Sequence, residues 1–237
     1  EATRRGLRVH VADLDTAVGW ERLVALCDAA DVLVENLDPV RRAKLHLTPA
    51  EVRVRHPHLV HVVLADCGLD GPNAGWRLEA LPAFAASGAL YCCGFPDKPP
   101  CWLPGHAAHD CASAFGAAGA LVAILDRVRS GTGQTVEVSV QEAALSGLYP
   151  WGIPLADYQR HYPMMASSPP RAADGNYMVL PCADGYVRVL PATPAHWRGF
   201  VKLVGSPEAL AGPEWDFLPF RIMNGDLIRA LATEALQ

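Results

Sequence analysis

Nowhere in this chain do two cysteines stand two residues apart, and the net charge is −5, not positive. The missing C-x-x-C spacing removes the usual sign of a metal or redox site. Seven cysteines, at positions 27, 67, 92, 93, 101, 111 and 182, are an odd number in a chain too long for a small disulfide scaffold. Reduced thiols in a cytoplasmic protein are therefore expected. A nucleic-acid binder shows a basic excess on at least one face, so no nucleic-acid partner is expected. No apolar run reads as a uniform membrane span and no leader pattern opens the chain, so no membrane association is expected. Internal repeats are absent. One local scarcity matters more than these. Between Lys98 and Leu125 the only acidic side chain is Asp110.

What is present suits a chain with a substantial core. About half of the 237 residues are apolar, and glycine and proline, 20 of each, imply many turns between short elements. Leu7–Leu14 alternates apolar and polar residues and predicts a strand. Trp20–Ala30 has helical spacing, and Asp31–Glu35 is a short apolar strand. That order predicts a parallel βαβ unit. Asn36-Leu37-Asp38-Pro39 breaks the chain at the strand's carboxyl end, where parallel α/β sheets bind their ligands. Thr48-Pro49-Ala50-Glu51 predicts a capped helix start. Leu59–Ala65 is the next strand, and Leu78–Leu90 is expected to be helical despite Pro82.

Pro104–Leu145 then predicts a long helix, a glycine turn at Gly131–Gly133, a strand over Thr135–Val140 and another helix. Prolines 150, 154, 163, 169 and 170 predict an extended linker. Asn176–Pro181 and Tyr186–Pro191 predict a hairpin, followed by helices over Pro194–Val204 and Arg221–Leu236. A large domain over 1–160 and a smaller α+β domain over 161–237 are expected. Glu1 is followed almost at once by strand-like sequence, and the last helix has no cap, so both ends are expected to be cuts through a longer protein.

Several residues are candidates for chemistry. Asp110 opens the long helix either as its N-cap or as a carboxylate nucleophile able to form an anhydride. His106, His109 and Asp110 form H-x-x-H-D, but no third ligand follows at ligand spacing, so no metal is expected. Cys111 beside His109 points in a different direction on a helix and reads as an inert thiol. His56, His58 and His61 are expected to be exposed polar positions. Arg41, Arg42, Lys44, Arg53 and Arg55 face only one acid, Glu51, in their segment. They either receive a phosphorylated ligand or form a solvated helix face. Gly131-Thr132-Gly133-Gln134 lacks a P-loop lysine and precedes a strand, so it reads as a tight turn.

As an ordered set these segments resemble the class III coenzyme A transferases of the CaiB/BaiF type, which include formyl-CoA transferase. Asp31-Val32-Leu33-Val34-Glu35-Asn36-Leu37 is similar to that family's D-V-L-V-E-N-F, and Leu59 to Pro72 to its strand and G-x-x-G-P loop. Ser87-Gly88 matches its A-x-S-G, and Arg129 to Ser139 its R-x-T-G-x-G-Q-x-V-x-V-S. Ala183-Asp184-Gly185-Tyr186-Val187 and Trp197 resemble its small domain.

The resemblance implies an α/β fold. A Rossmann-like parallel-sheet large domain, incomplete here, would bind CoA and carry catalysis, with a smaller, partial α+β domain beside it. It implies that two chains interlock as a homodimer. It implies CoA and acyl-CoA as substrates, a carboxylic acid as acceptor, no permanently bound cofactor and no metal. Asp110 falls on the family's nucleophile, while Asp13, Leu14, Asn36, Leu37, Asp38, Lys44, Arg77 and Glu79 would line the CoA site. The sequence also departs from the pattern. Leu37 replaces phenylalanine, Val40 a glycine, and Asp66-Cys67 the usual Gly-Phe. Glu79-Ala80 stand where transferases have Tyr-Asp and related α-methylacyl-CoA racemases have His-Asp. A racemase-like isomerase and a non-catalytic CoA-binding module are the alternatives.

Overall fold

Val60–Ala65 is apolar at nearly every position, and a strand of that kind must be covered on both faces. In the computed structural model it is the central strand of a three-stranded parallel sheet. β1 (Val32–Glu35), β2 (Val60–Ala65) and β3 (Thr135–Ser139) lie in the order β1-β2-β3. Val32 stands opposite Val60, and Ala65 opposite Ser139. The structure describes residues 6–95, 97–148 and 178–236. These fall into two compact units, divided between Ala83 and Phe84, Pro104 and Gly105, and Leu148 and Tyr149.

The first unit contains the sheet. α1 (Ala17–Ala29) starts at Thr16, whose hydroxyl accepts from the Gly19 amide, and leads into β1. α2 (Pro39–Lys44) and α3 (Pro49–Arg55) connect β1 to β2. The predicted cap of α3 is a full capping box. Thr48 accepts from the Glu51 amide while the Glu51 carboxylate accepts from the Thr48 amide. Cys27, Leu45, Leu47, Val52 and Leu59 form the core beneath these helices. α6 (Ala107–Ser130) and α7 (Val140–Leu148) complete the first unit; between β2 and α6 in sequence, α4 (Ala80–Ala86) runs across the division at Ala83 and α5 (Ala89–Cys92) belongs to the second unit.

α6 packs on β2 and β3 through small residues, with Ala108, Ala112, Gly116 and Ala123 buried. A Cβ on Gly119 would stand 2.6 Å from a Val136 methyl, so only glycine lets the helix come this close to β3. Gly131 ends the helix with φ at 74°, and its amide reaches the Arg127 carbonyl at 2.8 Å. The sequence shows no run that reads as a membrane span. Yet the 24 residues of α6 are long and apolar enough, by length and composition, to cross one. In this fold the helix is used as a cover for the sheet.

The second unit has its own core. The antiparallel hairpin of β4 (Met178–Cys182) and β5 (Gly185–Val189) packs with α8 (Pro194–Leu203) and α10 (Gly225–Leu236); α9 (Leu218–Met223) lies between those two helices in sequence. Trp197 stacks on Trp215 with ring centroids 5.4 Å apart, and Ile228 and Leu210 close the cluster.

Four expectations are corrected. Leu7–Leu14 is not a strand: Leu7, Val9 and Val11 are between 65% and 88% exposed, and no described strand pairs with this segment. Alternation alone cannot supply the neighbour that a strand's amides require. The helix expected over Leu78–Leu90 begins at Ala80, which puts Pro82 in the first turn, where its missing N–H does no harm. It breaks at Gly88, φ 79°, before α5 resumes. Arg221–Leu236 is likewise two helices, α9 and α10, parted at Asn224. His56 and His61 are buried, not exposed, and His56 Nδ1 lies 2.8 Å from Asp28. The predicted proline-rich linker falls outside the described residues.

Candidate active site

A cavity of about 260 Å³ opens at the carboxyl ends of β1 and β2. Its β1 side is built by a buried ion pair. Glu35 ends the strand, and Arg42, one turn into α2, donates from Nε to Glu35 Oε1 at 2.6 Å. The same two side chains hold Leu37 by its backbone. Glu35 Oε2 accepts from the Leu37 amide at 2.6 Å, and Arg42 Nη2 donates to the Leu37 carbonyl at 2.6 Å. His61 on β2 brings Nε2 to 3.6 Å from Glu35. Burial pushes the Glu35 carboxyl up, but attraction from His61 and Arg42 and the Leu37 amide outweigh it, and the net shift is downward.

Asp38 caps α2, accepting from the Arg41 amide at 2.8 Å, and its other oxygen accepts from Arg77 at 3.3 Å. The Arg41 amide, with help from the Arg77 charge, lowers its pKa against a partial desolvation cost.

The β2 side is organised around Asp66, the residue that follows the strand. Its Oδ2 accepts from the Leu78 amide at 2.9 Å and lies 3.9 Å from Arg77 Nε. Its backbone carbonyl accepts from Gln141 at 3.1 Å, tying the strand end to α7. Glu137 on β3 takes the Leu69 amide at 2.7 Å and holds the loop that follows Asp66. The start of α6 supplies the third side. His109 lines the cavity, with Nε2 3.9 Å from Asp66 Oδ1.

Asp110 is not the N-cap of α6. His106 holds that position, and the Asp110 amide already donates to the His106 carbonyl at 2.8 Å. Asp110 lies in the first turn, exposed, and its carboxylate makes no hydrogen bond or ion pair among the described residues. The amides of Ala107, Ala108 and His109 precede the helical ladder, and no side chain caps them. Beside Asp110, burial and the neighbouring carboxylate both raise the Cys111 thiol, so it is held protonated.

The structure thus brings together Asn36, Leu37, Asp38, Arg77 and Glu79 around one cavity. Asp110 is next to the lining residue His109 but does not itself line the space. Asp13, Leu14 and Lys44 lie elsewhere. Asp13 Oδ1 accepts from the Asp15 amide ahead of α1, Leu14 packs against the Cys27 core, and Lys44 pairs with Asp15 at 2.8 Å. The basic segment divides in the same way. Arg42 is consumed by Glu35, Arg41 by Asp15 at 2.7 Å, and Arg55 lies over the Trp20 ring.

Asp66 and His109 are cavity residues that the sequence reading did not assign. The signal for Asp66 was available, since it follows an apolar strand just as Asn36 does. His109 carried no comparable signal, because its neighbour in space is 43 positions away in the chain.

The family described as CoA-transferase family III matches residues 1–236. The probable CoA-transferase Rv1866 of Mycobacterium tuberculosis is 31% identical over 98% of this chain and 30% of its own length. The formyl-CoA:oxalate CoA-transferase of Streptomyces avermitilis is 29% identical over 84% of this chain and 52% of its own. The crystal structure of Rv3272 from Mycobacterium tuberculosis superposes with a TM-score of 0.73 at 26% identity, covering 98% of this chain and 62% of that one. The chain spans about half the length or less of these curated relatives.

Proposed function

This chain belongs to CoA-transferase family III, and from that premise we propose that the full-length protein moves CoA from an acyl-CoA to a carboxylic acid, with Asp110 as covalent carrier. The observation that carries the reading is the state of Asp110. It is an exposed carboxylate without a partner among the described residues, one position from a polar cavity at the strand ends.

The chemistry balances without a metal or redox partner. The Asp110 carboxylate attacks the thioester carbonyl, and CoA leaves as the thiolate, giving a mixed anhydride. The thiolate attacks the aspartyl carbonyl of that anhydride, releasing the first acid and leaving an aspartyl-CoA thioester. The acceptor carboxylate attacks that thioester, the thiolate leaves again, and its return to the new acyl carbonyl gives the product and frees Asp110. The uncapped amides of Ala107, Ala108 and His109 are the candidate donors to the oxyanions. Asn36, Leu37, Asp38, Arg77 and Glu79 line the cavity, and in this reading they receive CoA there. Asp13, Leu14 and Lys44 would act at its more distant parts. CoA enters and leaves as substrate, so no resident cofactor is called for. By family resemblance we assign a cytoplasmic, interlocked homodimer, which sedimentation of the full-length protein would test.

Incubating full-length protein with an acyl-CoA and hydroxylamine is expected to leave a hydroxamate on Asp110, read by mass spectrometry. Asp110→Ala is expected to lose about 10⁴-fold or more in transfer. Normal transfer by that variant would overturn the mechanism. The isomerase alternative has one observation in its favour, since Glu79 and His109, both able to carry a proton, line the same cavity. It requires exchange of the α-proton with deuterated water in the absence of an acceptor acid.

A further inference from the structure

We propose that Asp66 and His109 form a recognition point for a hydroxyl group of the CoA thioester, a reading that rests on the CoA-transferase function above. The two side chains enter the cavity from different elements, Asp66 from the end of β2 and His109 from the first turn of α6. Asp66 has one oxygen committed and one open, and neither ring nitrogen of His109 has a hydrogen bond among the described residues. Asp66 Oδ2 is taken by the Leu78 amide at 2.9 Å. Asp66 Oδ1 makes no hydrogen bond among the described residues and has His109 Nε2 at 3.9 Å. His109 Nδ1 is buried and has no partner among the described residues.

That last fact bears on the choice of tautomer. A buried N–H without an acceptor is the rarer and costlier orphan. Placing a proton on Nε2 leaves no buried N–H without an acceptor, and this is the tautomer on which the proposal is built. The cavity then presents a donor, His109 Nε2–H, and an acceptor, Asp66 Oδ1, with 3.9 Å between them. The gap is too long for a direct bond, yet an oxygen between them can stand about 2.8 Å from both.

The pair is selective in chemical type. A thioester carbonyl or a carboxylate only accepts, and would meet the like charge of Asp66. An amide N–H of the pantetheine arm only donates, and would leave the His109 N–H unused. A hydroxyl donates to Asp66 and accepts from His109 with a single atom. A site built for an O–H rejects the analogue without it, because its own polar groups are then left unpaired. Two hydroxyls near the thioester could fill the place, one on the acyl group or the one on the pantothenyl arm; the ribose hydroxyl of CoA lies at the far, adenosine end, away from the thioester that Asp110 attacks.

The test is equilibrium binding by full-length protein of CoA and of a 3-hydroxyacyl-CoA paired with the acyl-CoA of equal chain length. It is run on the parent, Asp66→Asn and His109→Phe. Asp66→Asn can keep an oxygen on the Leu78 amide while turning an NH₂ toward His109. If Asp66→Asn does not fold, His109→Phe decides alone. Both variants are expected to lose about tenfold or more in affinity for the hydroxylated ester. A loss confined to that ester assigns the hydroxyl to the acyl group. An equal loss for all three ligands assigns it to the pantothenyl arm, provided that a CoA analogue lacking that hydroxyl binds parent and variants alike. Variants that also weaken that analogue, or that bind every ligand like the parent, overturn the proposal and leave the CoA reading intact. Failure of the parent to bind CoA overturns both.

Discussion

Arg41 and Arg42 are neighbours on one short helix, and each is paired with a carboxylate, but the two pairs do different work. Arg42 and Glu35 have side chains 4% and 7% exposed, and between them they satisfy the backbone of Leu37 on both its amide and its carbonyl. Arg41 meets Asp15 at 32% and 45% exposure, in a cluster shared with Lys44. The inner pair shapes the rim of the cavity. The outer one ties the turn before α1 to α2. Charge that has left water must be paired and hydrogen-bonded throughout, or the fold cannot keep it. Charge that stays in water is screened and can be rearranged cheaply.

The strongest way to break this contrast is Arg42→Ala, which strands Glu35 inside the protein. About 3–5 kcal/mol of stability should be lost in a denaturant titration. The double change Glu35→Leu with Arg42→Met should recover most of that loss while still loosening the Leu37 loop, and weaker CoA binding would show it. If the double change is as unstable as the single one, the inner pair is not acting through stranded charge.

Acid should separate the two pairs next. The folded-state pKa of Glu35 is lower than its unfolded value, so the native state binds this proton less readily. Its contribution is therefore fully present above about 4.3, the ordinary glutamate value, and is lost as pH falls through the lower folded value. The stability difference between the parent and Glu35→Gln should shrink over that window and not above it.

The smallest effect belongs to the outer pair. Arg41 and Lys44 pull the Asp15 carboxyl down to about 2. Replacing both with alanine should raise the Asp15 carboxyl toward the ordinary range near 4, seen by NMR titration, with the unfolding midpoint moving far less than for Arg42→Ala. A large shift in that midpoint would erase the distinction between the pairs.

How much of this was legible beforehand depended on how far apart the interacting residues stand. The Thr48–Glu51 capping box and the Gly131 helix stop were readable, because each is a contact across three or four positions. The strands at Val32–Glu35 and Val60–Ala65 were readable from composition, and the break after the first raised the expectation of a ligand at its carboxyl end. Which arginine of the basic segment would be buried was not readable, because helical phase relative to Glu35 is set by how α2 docks. Nor could pattern say that His56 and His61 face inward, or that Leu7–Leu14 would pair with no strand among the described residues.

The sequence by itself determined the local grammar of the protein. Caps, turns, apolar strands and a lone carboxylate at the head of a small-residue helix follow from short-range sterics and hydrogen bonding, and their order was enough to point to the family. Only the tertiary structure decided the rest. It moved Asp110 from the cap to the first turn, spent Arg42 on Glu35, and brought Asp66 within 3.9 Å of His109. The physical reason is burial. Removing a polar group from water makes its partner obligatory, and that partner can come from any element that packs against it.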